Sequence, residues 1–203
     1  MSDFDQLAEL LKRHREIAVL AALNIRPDDK AIVAGAYDGT TIKFLCDFFG
    51  PDLEVHGYDP QSSMLSRAAD KLRGYPNVHL YDYGIGVVAG SFPMVRAGTD
   101  MCSFIADDTP VTNVGELRLV DDVLGDLGHV RLMVLNMEQY EHVLLPYMVE
   151  HSLMQHVDHL LVQFHGSEND HAPSTDLLNA LRRTHDLEWS RPRWQWAYWE
   201  RRV

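Results

Sequence analysis

Gly35-Ala36-Tyr37-Asp38-Gly39 breaks an apolar run, Ala31 to Ala34, and a second apolar run, Leu53 to Tyr58, ends on Asp59. Glycines let a backbone approach a ligand closely, and a carboxylate about 20 residues on can accept the hydrogen bonds of a ribose diol. The pair reads as a nucleoside-cofactor site. The turn lacks the third glycine of G-x-G-x-x-G and carries Asp38 where a pyrophosphate would sit. A carboxylate there repels phosphate and attracts a sulfonium or an ammonium group. No G-x-x-x-x-G-K-[ST] is present either. S-adenosylmethionine, a cationic adenosyl ligand, suits the turn best. The competing readings are a tight strand-to-helix turn with no ligand, and a nicotinamide site, which the missing glycine disfavours.

Both tips face one crevice only if the two runs are parallel strands joined by a helix. Thr40-Thr41 opens that helix, and Gly50-Pro51-Asp52 stops it after Phe49. Upstream, Asp3 or Asp5 caps a first helix that runs to about Leu23, before Asn24 to Asp29 breaks it. Downstream, Pro60-Gln61-Ser62-Ser63 begins a helix to about Arg73, and Val78 to Tyr81 is a third strand followed by Asp82. Residues 84–96 read as an irregular strand or hairpin, and 97–115 as a polar binding loop or surface excursion. A short helix over Leu119 to Leu127 precedes a buried-type strand, Arg131 to Leu135, and then Asn136-Met137-Glu138-Gln139-Tyr140-Glu141. A helix to about Met154, a fifth strand from His159 to Phe164, a helix from Ser174 to His185 and two closing strands, 187–190 and 194–199, complete the chain.

Strands alternating with helices predict an α/β, Rossmann-like fold: a seven-stranded, mostly parallel sheet, helices on both faces and an antiparallel last strand. At 203 residues the chain reads as one domain, with an N-terminal helix (1–29), a cofactor-binding core (30–166) and a closing helix with edge strands (167–203). A net charge of −12 argues against a nucleic-acid backbone or an anionic membrane as partner. No signal-peptide core and no long apolar run is visible, and Cys46 and Cys102 make neither a disulfide framework nor a metal-binding spacing, so a reduced cytoplasmic setting is expected. His142, His151, His156, His159 and His171 crowd one third of the chain without H-E-x-x-H, and no metal site is expected. The aromatic tail, Trp189, Trp194, Trp196, Tyr198 and Trp199, reads as core and edge packing, or as a homodimer surface if the sheet edge is exposed.

These features together resemble the FkbM family of S-adenosylmethionine-dependent methyltransferases. The family's first turn, V-G-A-N-x-G, is similar to Ala34-Gly35-Ala36-Tyr37-Asp38-Gly39, and its E-P or D-P after the second strand to Asp59-Pro60. L-D-D-x-L is similar to Val120-Asp121-Asp122-Val123-Leu124, K-I-D-x-E-G-x-E to Val134 through Glu141, and E-x-H to Gln163-Phe164-His165. The resemblance covers about residues 30–166. Departures stand at Val134, Asn136, Gln139 and Gln163, where the family has lysine, aspartate, glycine and glutamate. Replacing a carboxylate by Asn136 weakens any hard-cation site and makes a metal-assisted mechanism doubtful.

The resemblance implies a class I methyltransferase acting on oxygen of a small molecule, such as a sugar or secondary-metabolite intermediate. It implies that Gly35, Ala36, Tyr37 and Gly39 shape the turn around the methionine portion of the cofactor, with Pro60 and Asn136 beside it. By the same resemblance Asp38 meets the ammonium group, Asp59 the ribose hydroxyls and Asp82 the adenine amino group. Methyl transfer is an in-line displacement, so the protein aligns donor and acceptor and removes a proton. His165, with an ordinary pKa near 6.5, is the candidate base. Glu138 is the second candidate, or orients the acceptor. The competing reading is a binding protein that kept the fold and lost activity.

Overall fold

The computed structural model describes residues 23–99, 101–104, 110–166, 172–190 and 196–202. The helix expected before Leu23 and the turn at Arg191-Pro192-Arg193 lie outside them.

Ten strands run in chain order: β1 (Asp29–Ala34), β2 (Leu53–Tyr58), β3 (Val78–Tyr81), β4 (Gly84–Gly86), β5 (Gly90–Val95), β6 (Val111–Leu119), β7 (Val130–Leu135), β8 (Val157–Val162), β9 (His185–Ser190) and β10 (Ala197–Arg201). Among the described residues five α-helices accompany them: α1 (Thr40–Phe49), α2 (Ser62–Lys71), α3 (Val120–Leu127), α4 (Glu141–Glu150) and α5 (Thr175–Leu181). The main sheet has the order β3-β2-β1-β7-β8-β10-β9, with β10 antiparallel to both neighbours and the other pairs parallel. The expected seven-stranded Rossmann-like sheet is present.

Helices cover both faces because the central strands are apolar on both sides. Ile42 and Leu45 of α1 and Ala68 of α2 pack on Ala31, Val33, Val55 and Val134. Val123 of α3, Leu144 and Met148 of α4 and Leu181 of α5 pack on Ile32, Met133 and Leu160. Trp196 and Tyr198 sit in the first of these cores and Trp199 in the second, so these tail aromatics are interior packing. The order of strand addition reverses between β1 and β7, which are themselves parallel. A doubly wound sheet opens a crevice at that switch point, outside the carboxyl ends of its strands.

The stretch 97–115 departs from the expected loop. Its end belongs to β6, which pairs antiparallel with β5 and parallel with β4 in a second, three-stranded sheet. Val111 and Val114 are exposed, while Gly115 and Leu117 are buried. A glycine on the buried face weakens the alternation that a strand offers to be read. The helix expected to reach Met154 ends at Glu150, where Ser152 turns left-handed (φ 60°) into a 3-10 turn.

Candidate functional site

The backbone at the β1 tip is strained by design: Gly35, Tyr37 and Gly39 have φ of 83°, 45° and 78°. Glycine carries such angles without steric cost; tyrosine does not. Two contacts hold the turn in place. The amides of Gly35 and Ala36 both donate to the carbonyl of Tyr58, each at 3.0 Å. The Tyr37 amide donates to Asp59 Oδ2 at 2.8 Å, while the Gln61 amide donates to Asp59 Oδ1 at 2.9 Å. Asp59 is buried, and burial raises its carboxyl pKa against the lowering effect of those amides. It is the bracket that fastens the turn after β1 to the turn after β2.

The third side of the crevice is the turn after β7. The Asn136 amide donates to the Ala34 carbonyl at 3.0 Å, and a Cβ built on Gly35 would lie 1.8 Å from the Asn136 carbonyl oxygen. Only glycine admits this approach. Glu138 and Gln139 follow with φ of 48° and 80°, two successive left-handed residues, and the Glu138 carbonyl accepts the Ser103 hydroxyl at 2.6 Å. Strain of about 1–3 kcal/mol at each such residue persists only where the surroundings enforce it.

Between these tips lies a cavity of about 190 Å³. Of the residues the sequence singled out, Gly35, Ala36, Tyr37, Asp38, Asp59, Pro60, Asn136 and Glu138 line it. Ile85, Phe104, Leu117, Met137, Tyr140 and Trp196 supply an apolar wall that the sequence did not single out. Asn136 Oδ1 is buried and has no hydrogen-bond partner among the described residues.

Other candidates stand elsewhere. Gly39 is not in the cavity wall; it lets α1 meet α2, where its Cβ would press on Leu72 and Ala68. Asp82 is exposed and does not line the cavity; the chain returns to the wall only at Gly84 and Ile85. Asp38 lines it but is paired: Oδ1 accepts the Thr40 amide and hydroxyl, and Oδ2 lies 2.5 Å from Lys71 Nζ. Burial opposes ionisation there, but Lys71 and Thr40 prevail and hold the carboxyl below its ordinary value.

His165 requires a correction. It lies behind the cavity wall, with Nε2 2.9 Å from Glu138 Oε1 and Nδ1 3.1 Å from Glu141 Oε1. Its backbone amide also donates to Glu141, and the His142 ring donates to its carbonyl. Burial favours the neutral ring, but the two carboxylates outweigh it and raise the pKa to about 10. An imidazole flanked on both nitrogens by carboxylates is a cation at neutral pH. A ring so protonated has no lone pair to take a proton, which favours Glu138 over His165 as the base.

Among the other histidines, His151 bonds the Tyr147 carbonyl and His159 the Tyr198 hydroxyl, while His171 lies outside the described residues. No described helix is long and apolar enough to cross a membrane.

No protein-family model matches the sequence, and a comparison with curated proteins finds no match. Solved structures share the fold. Fibrillarin from Aeropyrum pernix, in complex with natively bound S-adenosyl-L-methionine, aligns with a TM-score of 0.52 at 11% identity, over 88% of this chain and 68% of its own. An rRNA methylase from Streptococcus thermophilus aligns with 0.53 at 11%, over 94% and 98%. A SAM-dependent methyltransferase from Aquifex aeolicus aligns with 0.50 at 12%, over 93% and 90%. The fold is the α/β, Rossmann-like methyltransferase fold.

Proposed function

We propose that the chain is an S-adenosylmethionine-dependent methyltransferase of the FkbM kind that methylates an oxygen of a small molecule. One observation carries this reading: three strand tips, fastened by Asp59 and by the Gly35–Asn136 approach, enclose a cavity with acidic and amide groups at one side and apolar residues at the other. The neighbours named above include one with S-adenosylmethionine bound, which supports the same cofactor here.

The residues present fit that cofactor. Asn136 Oδ1, buried and unpartnered, is an acceptor for its ammonium group. Asp59 keeps lone pairs beyond the two amides it holds and offers them to ribose hydroxyls. Asp38, kept ionised by Lys71, places negative charge at the turn. When bound, the cofactor supplies a methyl group on a positively charged sulfur.

Glu138 is the group that faces an acceptor. With the methyl donor bound, Glu138 would take up the proton that the acceptor hydroxyl gives up on methylation. A hydroxyl becomes strongly acidic as it is alkylated, so a carboxylate suffices as the base. The His165 cation behind Glu138 holds that carboxylate in place. The acceptor is read as small because a chain of net charge −12 repels a phosphate backbone. Free Cys46 and Cys102 support a reducing, cytoplasmic setting.

Calorimetry with S-adenosylhomocysteine, followed by turnover on a panel of hydroxylated small molecules, tests the reading. We expect binding, and turnover that Glu138→Gln lowers about 100-fold or more without changing cofactor affinity. Absence of binding sinks the proposal. Binding with no turnover across the panel transfers support to the cofactor-binding partner protein.

A further inference from the structure

The first half of the sheet carries a second cluster of chemistry-bearing side chains, on β2 and β3. Leu53, Val55 and Gly57 face α1, so Glu54 and His56 project from the opposite face. Register sets His79 of β3 directly beside His56 of β2. Glu54 Oε1 lies 3.1 Å from His56 Nε2 and 3.0 Å from His79 Nε2, and the three donor atoms all lie within 4.8 Å of one another. None of the three lines the cofactor cavity.

Two further observations separate this cluster from an ordinary ion pair. His56 is buried, with its side chain 5% exposed, and its Nε2 meets Glu54 Oε1 at ion-pair distance without the angle of a hydrogen bond. Its other nitrogen, Nδ1, is 3.1 Å from the Tyr81 hydroxyl, and Tyr81 is fixed by stacking on Tyr58 at 4.7 Å. A proton on Nδ1, donated to Tyr81, leaves the Nε2 lone pair directed at Glu54 and His79. Orienting partners of this sort set the tautomer of metal-bound histidines.

We propose that Glu54, His56 and His79 bind one divalent transition-metal ion of the zinc class, with a fourth position open to solvent. Two imidazoles and one carboxylate suit zinc and its neighbours, not the oxygen-preferring Mg²⁺ or Ca²⁺. Tetrahedral zinc holds adjacent nitrogen and oxygen donors about 3.3 Å apart, so the two spacings from Glu54 widen by only a few tenths of an ångström. Glu54 and His79 are partly exposed and free to make that adjustment. The ion ties the edge strand β3 to β2, ahead of the turns that reach the cavity.

The test uses the tag-free full chain, stripped with a chelator, with Zn²⁺ followed by calorimetry and thermal unfolding and Co²⁺ by visible absorption. One ion per chain, a raised Tm and Co²⁺ ligand-field bands are expected. Both His79→Ala and Glu54→Gln are expected to bind at least about 10-fold more weakly and to lose the Tm rise. S-adenosylhomocysteine affinity should be the same in all three proteins, which keeps this result apart from the cofactor reading. Wild type that binds no ion, or variants that bind as wild type does, would overturn the proposal.

Discussion

His165 Nε2 stands 2.9 Å from Glu138 Oε1, so the carboxylate at the cavity wall is backed by a buried cation. Behind that cation, Glu141 is fully buried. Removing the imidazolium strands both acids. We expect His165→Phe to lose about 3–5 kcal/mol in urea unfolding at neutral pH. A base whose pKa is raised on folding contributes stability that is complete below the unfolded value near 6.5. Here it is lost as pH rises through about 10. Wild type should therefore weaken from pH 7 to 10 more steeply than the variant; equal slopes would refute the assignment.

His159 sets the opposite limb. Burial, reinforced by Arg131, lowers its pKa to about 4, while Tyr198 holds its Nδ1 at 2.7 Å. A lowered base gives stability that is present above about 6.5 and lost as pH falls towards 4. His159→Gln keeps a hydrogen-bonding group and cannot titrate. Its unfolding free energy should be flatter than wild type between pH 6.5 and 4, measured by denaturant titration at several pH values.

Gly35→Ala should be among the most damaging single-methyl changes. It adds a Cβ 1.8 Å from the Asn136 carbonyl at a residue with φ of 83°. The strands must part there, at a cost of roughly 2–4 kcal/mol, and S-adenosylhomocysteine binding should fall with it. Gly74→Ala is the control, since nothing lies within 4 Å of its added Cβ. It should stay within about 0.5 kcal/mol of wild type.

Asp59→Asn separates the bracket from the charge. The two carboxylate oxygens accept from Tyr37 and Gln61 respectively, and an amide can accept through only one. One buried N–H is left facing an NH₂ group, which costs about 1–3 kcal/mol. Thermal unfolding without ligand should already show the loss. A stable apo variant with weakened cofactor binding would instead assign Asp59 to ligand contact alone.

Much of this arrangement was legible in the residues. β1, β7 and β8 announce themselves as apolar runs because both their faces are covered, and Asp59 falls at the strand tip that its spacing from the glycine turn requires. β6 was hidden because a glycine, Gly115, occupies a buried position in it. Asp82 misled because the chain leaves β3 outward before Gly84 and Ile85 return to the wall. The charge on His165 was beyond sequence reasoning: it depends on Glu138 and Glu141 converging from a strained turn and a helix start. Glu54, His56 and His79 were missed because metal spacing was sought along the chain. Their alignment exists only across the β2–β3 register.

The second sheet joins the first through Ile85 and Leu117, which sit in its core, through Gly115 against Pro60, and through the Ser103 hydroxyl on the Glu138 carbonyl. Insertions or deletions between Val95 and Val111 would not shift any strand of the seven-stranded sheet, because both ends belong to the smaller one. Loop length is cheap in free energy under such anchoring. A change within the segment is instead felt at the cavity, whose wall takes Phe104 from it and whose Glu138 carbonyl is held by its Ser103.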